Sequence, residues 1–297
     1  MKQIFRHSPK DSFLIAMTVS AVALALSLAQ LDLSLPWLLV IAPFHIFLLL
    51  NVQNSSMHHH IHWATFNNKK LNHLYELLIA AAAWSKPETA RLTHTIHHKY
   101  VNDIPVDGKS KDTISEFGHG KDGQLENVWK FCWRNGVFAW FSPWKYVFYE
   151  MWKLQRPETK MMNPVQWHRQ QLAIVIFQLL VLLINFSYGI WLMFVIYSLA
   201  HFLNYAWHYG EHYGSYHRRG DTTQDAVGIY SKWYNFLCFN AGYHQEHHHR
   251  PGLHWTKQPE ITNVLPDSRR CVGGMHVTNI PWARHFRLLF DKSTPVT

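Results

Sequence analysis

Four stretches of the chain contain no Lys, Arg, Asp or Glu: residues 12–31, 33–52, 171–186 and 189–206. All four are almost wholly apolar. The first two are 20 residues each, which as helices rising about 1.5 Å per residue cross a hydrocarbon core of about 30 Å. The later two, of 16 and 18 residues, lean on Trp191 and Tyr205 as interfacial anchors. Short turns near Asp32 and Ser187–Gly189 predict two hairpins of transmembrane helices.

The remaining chain is polar and reads as helical. Residues 71–84 are apolar but too short to span. Residues 128–152 interleave Trp129, Trp133, Trp140, Trp144 and Trp152 with Lys130, Arg134 and Lys145, a pattern that predicts amphipathic helices lying in the membrane interface. The expected fold is an all-α integral membrane protein: one domain over residues 1–297, four spans, and a helical cap from 53–168 and 207–297. Lys2, Arg6 and Lys10 followed by an apolar run ending near Ala29 also fit a cleaved signal. The run is long for one, however, and a second span follows almost at once.

Charge sets the orientation. Residues 1–11 hold three Lys and Arg, 53–168 hold fourteen and 207–297 hold ten, whereas both hairpin turns hold none. Under the positive-inside rule both termini and the cap face the cytoplasm, in the plasma or inner membrane if the source is bacterial. The net charge of +9 is thereby explained by topology, and no nucleic-acid partner is expected. Three Cys, none in a CxxC pair, make no disulfide framework. Gly118–Gly123 matches GxGxxG but follows a polar segment with no strand in prospect, so a dinucleotide site is not expected.

The unusual residue is histidine, 23 in all. His58 and His62 are i,i+4 and share a helix face. Because His58, His59 and His60 are consecutive, a one-residue change of register pairs His59 with His62 instead. His94, His97 and His98 stand at i, i+3 and i+4, and His244, His247 and His248 repeat that spacing. Asn204 and His208 are again i,i+4 just past the fourth span. Neutral imidazole ligates first-row metals, each taking about four to six ligands. Nine histidines on the cytoplasmic side therefore suit two ions. Asp103, Asp107 and Glu246 lie beside the clusters, where carboxylates commonly take the free N–H of a ligating ring, and His212 is a further candidate ranked below His208. A zinc- or nickel-handling transporter is the competing class, but transporters place ionisable ligands near mid-membrane, and here only His45 is deep in a span.

HxxxH, then HxxHH, then two spans, then a late HxxHH resembles the membrane fatty acid desaturase superfamily over about residues 35–260. His94–Asp103 resembles that family's second histidine box with its trailing acid, and Gly242–Pro251 its third. Asn204–Gly210 is similar to a motif of the alkane hydroxylases. The resemblance implies a di-iron centre held by His58, His62, His94, His97, His98, His208, His244, His247 and His248, with Asn204 near one iron. It implies a non-haem oxidase that uses dioxygen to desaturate a fatty acyl or related lipid chain, with hydroxylation of a lipid or hydrocarbon as the alternative. Electrons would come from an external donor of ferredoxin, rubredoxin or cytochrome b5 type.

The orientation is directly testable. Alkaline phosphatase fused at residues 33 and 188 is expected to be active and at residue 110 inactive; activity at 110 overturns the topology.

Overall fold

The computed structural model describes residues 4–101, 112, 127–137, 139–141, 144, 162–212, 222–265, 271–272 and 275–276. Its helices are α1 (Asp11–Ala29), α2 (Leu35–Asn51), α3 (His58–His62), α4 (Lys69–Ala83), α5 (Pro87–Tyr100), α6 (Val128–Gly136), α7 (Pro164–Ile184), α8 (Phe186–Trp191), α9 (Ser198–His212), α10 (Lys232–Leu237) and α11 (His244–His249). Six-residue π-helical turns, Val52–Met57 and Leu192–Tyr197, join α2 to α3 and α8 to α9. Among the described residues the only sheet is a two-residue ladder, Cys271–Val272 with Met275–His276.

Four helical runs are long and apolar enough to cross a membrane: Asp11–Ala29, Leu35–His62, Pro164–Ile184 and Phe186–His212. The all-helical class with four membrane-length helices stands, but the boundaries differ from those expected. The third run starts at Pro164, ahead of the first charge-free residue. Asn163 caps it by accepting a hydrogen bond from the Gln166 amide at 3.2 Å, and Pro164 supplies a backbone preset for the first helical turn. The break to the fourth run falls at Asn185. Its extended backbone ends α7, and its side chain accepts from the Tyr188 amide at 3.0 Å to start α8. Charge counting cannot see a cap, because capping asparagines are neutral.

The chain divides into two compact units. The first comprises Met1–Leu92 and Asn135–Asn204. Its core is set by α1, which buries Leu14, Thr18, Ala21, Ala25 and Leu28 at alternating steps of three and four, while α4 buries Ile79, Ala80 and Ala83. Small residues at these positions let helices approach closely. Polarity is arranged opposite to that of a water-soluble protein. Gln170, Gln171 and Gln178 are enclosed, whereas Val40, Ile176, Leu183 and Phe186 are exposed. That arrangement suits hydrocarbon outside and hydrogen-bonded polar groups inside. The π turn at Val52–Met57 is polar and buried, and neighbouring amides repair the ladder it disturbs. Asn51 Nδ2 donates to Phe47 O at 3.1 Å and Asn54 Nδ2 to Leu50 O at 3.0 Å.

The second unit comprises Thr93–Arg134 and Tyr205–Thr297. Here α6 exposes Trp129 and Trp133, and α10 exposes Trp233 and Phe236, the aromatic display expected of interfacial helices. The remainder of the 128–152 expectation lies mostly outside the described residues.

Gly136, at the end of α6, lies in the first unit against the backbone of Phe202. A Cβ there would stand 2.7 Å from Phe202 Cα and 2.7 Å from its N, and backbone has little room to yield. Gly136→Val is expected to lower stability by about 1–3 kcal/mol, read as a lower melting temperature in detergent; an unchanged melt refutes the close packing.

Candidate metal centre

The second unit builds its site from three helices. The entry to α11 is fixed by a tight backbone crossing. The Ile229 amide donates to Gly242 O at 2.6 Å and Gly242 N to Asn235 Oδ1 at 3.0 Å. Asn235 Nδ2 returns to Ile229 O at 2.7 Å. A Cβ on Gly242 would collide with Ile229 O, so only glycine serves. The helix then opens directly on His244, and the i, i+3, i+4 spacing turns His244, His247 and His248 to one side. The helix α5 does the same with His94, His97 and His98, and α9 ends on His212.

The ring nitrogens form two sets. His97 Nε2 lies 3.1 Å from His212 Nε2 and 3.3 Å from His248 Nε2. His244 Nε2 lies 3.1 Å from His212 Nε2. All four rings are buried, with their ligand atoms within 4.8 Å of one another. In the second set His98 Nε2 stands 3.0 Å from both His94 Nε2 and His247 Nε2. A metal–imidazole bond of about 2.1 Å places neighbouring nitrogens at about 3.0 Å along an octahedral edge, so the spacing fits a first-row ion such as iron.

Outward hydrogen bonds orient the rings. His97 Nδ1 meets Asp112 Oδ2 at 3.0 Å, with both groups buried. His212 Nδ1 donates to Asp225 O at 3.0 Å. An N–H held on Nδ1 leaves the Nε2 lone pair facing inward for a metal. Burial first, and the charges of surrounding rings second, push His244 and His248 well below the ordinary imidazole range. They are therefore neutral, as ligation requires.

In the first unit the π turn leads into α3, where His58 and His62 pair with ring centroids 5.2 Å apart. His59 packs against Trp63 at 5.6 Å. His60 bonds Thr65 Oγ1 at 2.9 Å. Of the two pairings the sequence left open, the rings of His58 and His62 are the ones that stand together.

Several expected site residues lie elsewhere. His208 is not in the four-histidine set; its Nδ1 lies 3.5 Å from Glu211 Oε2, and His212, one turn further on, stands there instead. Both are at helical spacing from the same neighbours, so periodicity alone could not choose between them. Asn204 is also outside the set, and its Oδ1 is buried without a hydrogen-bond partner. Glu246 is buried within α11, while the carboxylate on a ligand-type ring is that of Asp112, which sequence reasoning missed. Glu211 was likewise passed over. It accepts from Trp207 Nε1 at 2.7 Å and sits 3.6 Å from His244 Nε2. Asp103 and Asp107 lie outside the described residues.

A family profile described as fatty acid desaturase matches residues 34–273. The chain belongs to the fatty acid desaturase family. Neither a curated protein nor a solved structure matches it. The family carries membrane di-iron desaturase- or hydroxylase-type oxidation, and the matched segment contains every histidine of the two sets.

His212→Ala is expected to cost about one iron per chain, measured by metal analysis, whereas His208→Ala keeps the full content. Asp112→Ala is expected to weaken iron binding about 10–100-fold. The reverse ranking of His208 and His212 would restore the ligand assignment expected from sequence.

Proposed function

We propose that the protein is a membrane di-iron oxidase that introduces a double bond into a fatty acyl or related lipid chain, both units acting as one functional domain. The observation that carries this reading is the convergence of seven histidines in two sets, with Nε2 spacings of 3.0–3.3 Å, inside a desaturase-family chain. One iron would be held by His97, His212, His244 and His248. The other would be held by His94, His98 and His247, to which the resemblance to the histidine boxes of the family adds His58 and His62.

Two irons so bound supply dioxygen activation, using two electrons from an external donor, and removal of hydrogen from an unactivated C–H bond. The chain's own groups do the rest. Asp112 and the Asp225 carbonyl hold the orientations of His97 and His212, so their nitrogens stay placed through turnover. Asn204 offers a buried acceptor on α9, about two turns before His212. The exposed apolar faces of α7 and α8, with Leu183 and Phe186, keep the protein in the bilayer where its substrate resides. Both termini are cytoplasmic in this reading, as the Lys and Arg distribution supports.

Hydroxylation is the second reading, favoured by the similarity of Asn204–Gly210 to alkane hydroxylases. The two share the first hydrogen abstraction and diverge on whether a second hydrogen leaves or oxygen is captured. Mass spectrometry of lipids from expressing cells grown under labelled dioxygen separates them. A product two hydrogens lighter and unlabelled is expected. A product with one labelled oxygen establishes the hydroxylase instead. No oxidised lipid from iron-loaded protein with a matched donor and a lipid panel overturns both.

A further inference from the structure

Glu76, on α4, is buried and ionisable but belongs to neither histidine set. Its surroundings lie wholly within the first unit. Oε1 accepts from Arg91 Nη2 at 2.6 Å and stands 3.5 Å from His60 Nε2. Oε2 accepts from Gln170 Nε2 at 3.3 Å and stands 3.5 Å from His73 Nδ1. Arg91 also donates to Glu88 Oε1 at 2.6 Å. Glu88 is itself pinned, Oε2 accepting from Asn163 N at 3.1 Å and its amide donating to Gln170 Oε1 at 3.0 Å. One carboxylate therefore ties together α3, α4, α5 and α7.

Two of those ties reach histidine helices. His60 sits midway between His58 and His62. Its ring is held at both ends, Nδ1 by Thr65 and Nε2 by Glu76, with Tyr75 edge-on at 5.1 Å. The His58–His62 segment is the last stretch of the Leu35–His62 run and lies beyond a π turn, where the winding departs from the regular helix. Fixing His60 fixes the rotation of that segment about its axis, and with it the direction of His58 and His62. Arg91 lies one turn before His94 in α5, so the same carboxylate anchors the start of the second-box helix. We propose that Glu76 is a positioning residue that sets the first and second histidine boxes through His60 and Arg91. The inference rests on the di-iron reading above.

Burial by itself would raise the Glu76 carboxyl, but the bond from His60 and the charge of Arg91 outweigh it and hold the group at about 2. It is a carboxylate at neutral pH, able to accept from Arg91, His60 and Gln170.

The test uses two replacements of His60 in the full-length, iron-loaded protein. His60→Gln keeps a donor near the position of Nε2; His60→Phe fills the ring volume without one. Both leave the Glu76–Arg91 pair intact, and Glu76→Gln is measured alongside. The readouts are iron per chain, release rate to a chelator and the Mössbauer spectrum. The expected result is two irons in His60→Gln with a near wild-type spectrum. In His60→Phe one iron is expected to be released at least about tenfold faster, with its quadrupole doublet altered. Glu76→Gln, which also weakens the Arg91 tie, should be at least as severe as His60→Phe; if it does not fold, the His60 pair decides alone. Unchanged release and spectrum in His60→Phe, or a defect in His60→Gln but not in His60→Phe, overturns the inference, the latter meaning that the ring only packs. Absence of iron from the wild-type protein overturns the di-iron reading and this inference with it.

Discussion

Ring nitrogens of four buried histidines cannot rest about 3 Å apart without something to share. Each neutral imidazole has one lone pair and one N–H, so hydrogen bonds can satisfy pairs but not a convergent set. Protonation offers no relief, because a second charge in the same buried space is repelled by the first. A cation at the centre resolves the conflict by taking every lone pair. The arrangement of His97, His212, His244 and His248 is intelligible on this ground, and much of the second unit is organised around it. The Gly242 crossing places α11, the Asp112 carboxylate and Asp225 carbonyl take the outward N–H groups, and burial excludes competing water.

The same logic explains why the outer partners are so varied. A ligating ring needs an acceptor at Nδ1 but does not care whether it is a side chain or a main-chain carbonyl. His97 uses a carboxylate and His212 a backbone oxygen. The carboxylate should make His97 the stronger electron donor of the two, so the four ligands are unequal by construction.

Much of this was legible in the sequence. The absence of charge marked the spans, and i, i+3, i+4 spacing marked the rings on α5 and α11, because helical periodicity is local. What was missed is non-local or breaks the period. Asp112 stands fifteen residues after His97, a separation that no helical period encodes. His212 and His208 are equivalent to any periodic argument. The π turn at Val52–Met57 adds a residue to the winding, which rotates all that follows by about 100°, so the first box could not be assigned a direction by counting. The span boundaries moved for the opposite reason: Asn163 and Asn185 act by single side-chain bonds that leave no trace in a charge count.

The first unit holds its charges at a cost. Burying Glu76 and Arg91 desolvates both, and in many proteins such a pair contributes little net stability compared with apolar residues of the same size. An apolar replacement would, however, lose direction. Dispersion contacts hold a helix in place but resist its rotation only weakly, whereas a carboxylate bonded to His60, Arg91 and Gln170 fixes the direction of each. The His58–His62 end of the Leu35–His62 run lies beyond a π turn, and it carries two histidines whose use depends on their direction. Burying the pair thus gives up stability where orientation matters more than adhesion. That accounts for placing the one buried acid–guanidinium network of the described first unit against His60 rather than among the apolar spans.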